Sequence, residues 1–244
     1  MAREDLARLI GHEFACPALL GEALTHPSAL PGRRGRRGRR AKPRPDYERL
    51  EFLGDRVLGL VVADLLWRRF KDEPEGDLTR RLTHLVRRET LAQVAAGLDL
   101  ARHLELSPAE AAAGAARNPG ILADVMEAVI AAVYLDGGFT AAFALVERLW
   151  QPLIAGMAGP PRDPKTSLQE WAQGRGLPLP DYRLVATSGP DHALRFTVAV
   201  RVSADDEASA TASSKRAAET AAAAALLERL SHSRRDEIDA EQSD

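Results

Sequence analysis

The residues of this chain best suited to chemistry are carboxylates. Glu48, Glu51 and Asp55, in the stretch ERLEFLGDRVL, stand at i, i+3 and i+7. On a helix these positions share one face. Leu50, Leu53 and Val57 repeat the spacing one face over, so an apolar stripe runs beside an acidic one. Glu51 and Asp55 are also i and i+4, a like-charge pair that repels without a counterion. A second set lies in ILADVMEAVIAAVYLDGG, where Asp124 and Glu127 interrupt a strongly apolar helical pattern. Carboxylates on a helix that must be buried are costly unless they are paired or bind a metal. Hard cations such as Mg²⁺ take oxygen ligands, commonly carboxylates completed by water and substrate phosphate. If the two acidic helices pack together, four carboxylates converge, as inward-facing acids do in dinuclear helical bundles. A metal held there would orient and activate a water and stabilise an oxyanion departing from phosphate. The spacing alone leaves a second reading open, a solvated acidic helix face.

The stretch just before these acids is basic. Eight lysines and arginines fall between Arg33 and Arg44, among the prolines and glycines of residues 31–46. That composition predicts a surface loop. Two readings follow for the run: a solvated loop, or a set of phosphate contacts beside an acidic cleft. Net charge is −2, so overall charge does not point to an anionic partner. Residues 1–162 carry 23 basic and 21 acidic residues, and only 15 basic ones once the run is set aside. Binding to nucleic acid would therefore need local patches or metal ions.

Other chemistries find little support. No Ser–His–Asp or Cys–His pairing is visible, and the six histidines have no metal-ligand spacing. His12, His84, His103 and His232 read as structural or surface residues. Cys16 is the one cysteine, which rules out a disulfide within the chain and fits a reducing, cytoplasmic setting. The apolar stretch VLGLVVADLLW is too short for a bilayer, which needs about 20 apolar residues, and MAREDLARLI lacks the apolar core of a signal peptide. No membrane and no small-molecule cofactor is expected.

These side chains need elements to carry them. Hydrophobic residues make up 45% of the chain but aromatics only 5%, a balance that favours alanine- and leucine-rich helices over a β-sandwich. Helical periodicity runs through residues 1–157, with helices expected near 47–70, 77–98, 108–116, 119–137 and 140–155. AGPPRDP, residues 158–164, is a linker. Beyond it, PKTSLQEWAQGRG reads as a helix. DYRLVATSGP and ALRFTVAVRV alternate as strands, with a turn at Gly189–Pro190–Asp191. A third strand and the alanine-rich helix SSKRAAETAAAAALLERL complete an α-β-β-β-α unit over 165–230. The charged residues 231–244 are expected to be a disordered tail.

ERLEFLGDRVL, ILADVMEAVIAAVYLDGG, LVRRETLAQVA and THPSA resemble the ribonuclease III family. PKTSLQEW, GPDH and SKRAAETAAA resemble its double-stranded RNA-binding domain. The resemblance covers nearly the whole chain, in the family's order. It implies an all-α endonuclease domain over 1–157, with the basic loop as an insertion, followed by a small α+β RNA-binding domain. It also implies a homodimeric endonuclease that cuts double-stranded RNA using Mg²⁺, with Mn²⁺ able to substitute. The expected products have 5′-phosphate and 3′-hydroxyl ends and two-nucleotide 3′ overhangs, from ribosomal RNA precursors and messenger RNA. Carried over by motif position, Glu51, Asp55, Asp124 and Glu127 bind metal, with Asp55 and Glu127 the catalytic pair. Glu48 and Glu75 are implied accessory acids. Phe52 is either a core residue or a plug into the partner subunit. His26, in THPSA, has no implied role. A non-catalytic relative would be expected to have lost carboxylates, and all four are present.

For RNA, the resemblance implies contacts from Gln169 and Gln173, His192, and Lys215 with Arg216. Double-stranded RNA is read by shape, through 2′-hydroxyls and phosphates over about 16 base pairs. Glutamines at i, i+4 suit 2′-hydroxyls, and basic residues at a helix N-terminus suit phosphate. Without the motif match, the two glutamines would be an ordinary polar face. Trp171 reads as core. The sequence departs from the family at ASATASSKR, where Ala210 and Ala212 replace expected glycines. Residues 163–230 carry 8 basic and 9 acidic residues. Both features predict RNA binding that is weaker or more salt-sensitive than is usual for the family.

Overall fold

The computed structural model of the protein describes residues 2–30, 46–190, 193–204 and 206–241, with side chains undescribed at 2–4 and 231–241. The arginine run and His192 lie outside the described residues. The chain divides into two compact units, Met1–Pro161 and Arg162–Asp244.

The first unit is helical. Its helices are α1 (Ala2–Ile10), α2 (Pro17–Ala23), α3 (Glu48–Arg69), α4 (Glu75–Leu85), α5 (Arg88–Gly97), α6 (Pro108–Ala112) and α7 (Pro119–Ala155). Helix α7 is the hub, and α3 lies against it more extensively than any other element. The sequence explains why. Val125, Met126 and the run from Ala128 to Val133 are fully buried, so this helix has to be covered on several sides. Helix α3 supplies one cover with Leu50, Val57, Leu58, Val61, Val62, Leu65 and Leu66. Asn118 starts α7 by accepting a hydrogen bond from the Gly120 amide, with Pro119 at the first helical position. By length and composition α7 could cross a bilayer. Here it is the core helix, and it bends at Gly138, whose φ is +74°. The expected break between 137 and 140 is this bend.

Asp136 anchors the bend. Its carboxylate accepts from the backbone amides of Ala15 at 2.9 Å and Cys16 at 2.7 Å. It also lies 2.8 Å from His12 Nε2. His12 is thus a structural residue that ties the N-terminal segment to α7.

Two expected helices need correction. The expected 77–98 helix is two, α4 and α5, because other groups take up the carbonyls at the end of α4. Trp150 Nε1 donates to Leu85 O at 2.9 Å and Thr90 Oγ1 donates to His84 O at 2.8 Å. A buried indole N–H thus fixes the turn. The expected 108–116 helix ends at Ala112, because Gly114 enters the left-handed region at φ +79° and a 3₁₀ turn follows over Ala115–Arg117. At the other end of α4, Arg81 is buried and grips Glu73 through two bonds of 2.8 and 2.7 Å, with its guanidinium 3.8 Å from the Phe70 ring centre. That clasp holds α4 to the end of α3.

The second unit comprises α8 (Pro164–Gln173), β1 (Asp181–Ser188), β2 (Arg195–Arg201), β3 (Glu207–Ala212) and α9 (Lys215–Glu241). The sheet is antiparallel in the order β1-β2-β3, pairing Tyr182 with Val200 and Val198 with Ala210. One face packs on both helices around Leu168, Ala172, Val200, Ala222, Ala223 and Leu226. The β1–β2 turn requires Gly189: its φ is +94°, and a Cβ there would stand 2.5 Å from Ala193 O. Helix α9 continues through Glu241, where the sequence predicted a disordered tail from residue 231. No glycine or proline follows Lys215, so nothing in the chain breaks the helix.

Candidate active site and nucleic-acid interface

The acidic site is built on a close approach of two backbones. Gly54 faces Glu127: an ideal Cβ on Gly54 would lie 1.8 Å from Glu127 O. Only a residue without a side chain permits this contact between α3 and α7. Gly54 adjoins Asp55 and follows Glu51 by three residues, so the same contact carries both acids to the face of α7 that bears Asp124 and Glu127.

The electrostatics register that convergence. Burial pushes the Glu127 carboxyl up to about 8, with Asp55, Glu51 and Asp124 adding repulsion and Arg56 opposing it. Glu51 is also raised, first by burial and then by Asp124, Glu48 and Asp55. Burial raises Asp124, while Arg88 and His26 pull it down. The four carboxylates therefore share one electrostatic neighbourhood, with Glu48 at its edge. Tyr47 is buried beside them and its phenol is strongly raised, by burial first and then by Asp124 and Glu51. A cluster of acids in which one is held protonated near neutral pH lacks positive charge. All of its donors are hard oxygens, the set that suits Mg²⁺, so the residues fit a divalent cation.

As the side chains stand, no three or more His, Cys, Asp or Glu among the described residues are arranged to hold an ion. Asp55 is engaged by a neighbouring cation. Its Oδ2 pairs with Arg56 Nη1 at 2.6 Å, and the side chain is 47% exposed. Drawing the four acids onto an ion would require Asp55 to leave Arg56.

Glu75 opens α4 and is exposed, accepting from Thr79 Oγ1 at 2.8 Å. It is not among the charges that act on Glu51, Asp124 or Glu127. Phe52 is not a core residue: it is 65% exposed, with the Arg56 guanidinium 4.3 Å from its ring centre. Leu53, its neighbour, packs on the core instead. Gly54, Tyr47, Arg88 and His26 were not singled out as site residues from sequence. A glycine inside a helical pattern was the available signal for Gly54. His26 and Arg88 lie in THPSA and LVRRETLAQVA, which imply no role for them, and nothing local marks Tyr47.

In the second unit, Gln169 and Gln173 are exposed on α8. Gln169 lines a groove of about 730 Å³ with Lys165, Lys215, Arg216 and Glu219. Lys165 Nζ donates to Glu219 Oε2 at 2.6 Å and stands over the Tyr182 ring, joining α8 to α9. Ser214 caps α9 by accepting from the Ala217 amide at 3.2 Å, so exposed Lys215 and Arg216 stand at the start of the helix. Trp171 is half-buried against the small core, with Arg175 over its ring at 4.2 Å. Ala210, where a glycine was expected, lies in β3 and packs on the same core.

A helical unit with converged carboxylates, joined to an α-β-β-β-α unit with a basic helix start, defines a class of two-unit, nucleic-acid-directed proteins. Comparison with known proteins makes this particular. The profile described as Ribonuclease-III-like matches residues 17–153, and the double-stranded RNA binding motif matches residues 164–230. A protein named Ribonuclease 3 from Azorhizobium caulinodans is 51% identical over 93% of this chain and 94% of its own length. Another from Rhodobacter capsulatus is 50% identical over 91% and 92%. The nuclease domain of ribonuclease III from Campylobacter jejuni, a solved structure, aligns at a TM-score of 0.55 and 36% identity, covering 63% of this chain and 97% of that one. The chain belongs to the ribonuclease III family.

Proposed function

We propose that this protein is a metal-dependent endoribonuclease that hydrolyses phosphodiester bonds in double-stranded RNA. The observation that carries the reading is the contact of Gly54 with Glu127, which brings Glu51, Asp55, Asp124 and Glu127 into one neighbourhood. Support also comes from the similar proteins, which are named Ribonuclease 3 and match over most of their length.

In this reading the four carboxylates would hold Mg²⁺, or Mn²⁺ in its place. The cation would supply positive charge that activates a water and stabilises charge building on the leaving oxygen. Asp55 and Glu127 are the catalytic pair, and Glu51 and Asp124 complete the ligand set. Glu48 and Glu75 are accessory acids. Arg56 would have to release Asp55 for that carboxylate to join the ligand set. Water adds to phosphorus as the bond to the 3′ oxygen breaks, giving 5′-phosphate and 3′-hydroxyl ends. The RNA 2′-hydroxyl takes no part as nucleophile. The second unit supplies duplex binding through Gln169, Gln173, Lys215 and Arg216, with His192 in the minor groove.

The working form is a homodimer in which Phe52 enters the partner, each subunit cutting one strand to leave short 3′ overhangs. Its exposed ring supports this, and one Campylobacter jejuni structure is described as concerning a region involved in dimer formation. The cellular setting is the cytoplasm and the substrates are ribosomal precursors and messenger RNA. The domain bounds are 1–157, 158–164 and 165–230. The test is incubation with long duplex RNA in Mg²⁺ or chelator. Wild type should cut only with metal, and Glu127→Gln should bind without cutting. Wild type that binds and never cuts would overturn the reading.

A further inference from the structure

We infer that Arg88 is a substrate-binding residue of this site, taking a backbone phosphate of the RNA strand that is cut. The inference rests on the endonuclease reading above. Arg88 is the first residue of α5 and is exposed. A Cβ built on Gly120 would lie 4.0 Å from Arg88 Nε, which places the side chain over the first turn of α7. Asp124 is one turn further along that helix. The charge of Arg88 acts on Asp124, from α7, and on Glu51, from α3. Arg88 thus stands where three helices meet, at the rim of the acidic cluster.

Its placement is unfavourable for the helix starts it faces. A cation in the first turn of a helix opposes the helix dipole, and Arg88 faces the first turns of both α5 and α7. Among the described residues no hydrogen bond or ion pair holds its guanidinium, whereas the neighbouring Arg87 lies 3.7 Å from Glu89. The side chain is exposed beside a site that must receive a polyanion. An acidic cluster repels RNA everywhere except at bound metal. A cation on its rim restores attraction for an adjoining phosphate, and guanidinium geometry matches phosphate oxygens two at a time.

The test uses full-length protein with Glu127→Gln as background, so that binding is read without cutting. The probe is a duplex RNA of about 30 base pairs, longer than the roughly 16 that one RNA-binding unit spans. Adding Arg88→Ala should weaken binding about tenfold, the scale of one charge-assisted contact. It should also make the log–log salt slope shallower by about one. Arg88→Lys should keep the slope while losing part of the affinity. In the otherwise wild-type enzyme, Arg88→Ala should raise KM for duplex RNA by a larger factor than it moves the Mg²⁺ concentration for half-maximal rate. Thermal unfolding should stay near that of the parent, since relief at a helix start is offset by lost attraction to Asp124 and Glu51. An unchanged slope, or a variant that shifts only the Mg²⁺ requirement, would overturn the inference and make Arg88 a counter-charge for the acids. Failure of the underlying reading looks different: wild type would not cut, while the effect of Arg88 on binding would persist.

Discussion

Replacing Gly54 with alanine tests whether one backbone contact assembles the site. The added methyl would start 1.8 Å from Glu127 O and 2.4 Å from its carbonyl carbon. Both obstacles are backbone in the middle of a helix, so no side chain can swing away. Reaching an ordinary contact of about 3.4 Å requires α3 and α7 to separate by more than 1 Å. Overpacking of this kind costs about 1–3 kcal/mol, and a clash between two helix backbones belongs at the upper end. At about 3 kcal/mol, the melting temperature of a unit this size falls by roughly 6–12 °C. Chemistry should suffer more than stability. A displacement near 1 Å between catalytic groups can cost about 10²-fold, and here it falls between Glu51 and Asp55 on one side and Asp124 and Glu127 on the other. Single-turnover cleavage of duplex RNA at saturating Mg²⁺ and at 25 °C, where the variant stays folded, should drop by about that factor. Binding by the second unit should be spared. A Gly54→Ala protein melting within 2 °C of wild type and cutting within about threefold of its rate would refute the argument.

Other consequences can be checked separately. Because the folded Glu127 carboxyl is raised from its ordinary value to about 8, the metal-free folded state holds a proton that the unfolded chain releases. Stability without metal should therefore decline as pH rises from about 5 to 8, and Glu127→Gln should flatten that decline in a chelator-treated melt series. By the same linkage, Mg²⁺ has to displace that proton, so its half-saturation in a thermal-shift titration should fall between pH 6.5 and 8.5. Phe52→Ala should leave the fold within about 0.5 kcal/mol of wild type, as for other exposed positions, and weaken self-association in sedimentation equilibrium. Trp150→Phe strands the Leu85 carbonyl and should cost about 2 kcal/mol or more in denaturant unfolding. Deleting residues 33–42 should weaken RNA binding and flatten its salt dependence without altering metal dependence, and unchanged affinity would assign the run to solvent.

What the sequence could and could not disclose follows from the range of the interactions. The acids were legible because helix periodicity is local: Glu48, Glu51 and Asp55 share a face whatever packs against it. The pairing of their helix with the one bearing Asp124 and Glu127 could be argued from the cost of burying carboxylates. The element that realises the pairing, Gly54, looked like a weak point in a helix until its partner was known. The same limit explains the break between α4 and α5. Residues 77–98 carry helical periodicity throughout, and what divides them is the indole of Trp150, 65 residues beyond Leu85. Arg88 is the sharpest case. Its sequence context, LVRRETLAQVA, places a cation at a helix start, which local rules count only as unfavourable. Its meaning depends on Gly120 and Asp124 lying across from it, and no spacing rule links residue 88 to residue 124. Local acids thus state which chemistry is available, while the residues that aim it, Gly54, Arg56 and Arg88, are defined by what stands opposite them. A sequence reading of such a site is strongest for the atoms that bind metal and weakest for those that admit substrate. Substitutions at that second group should therefore separate binding from chemistry most cleanly.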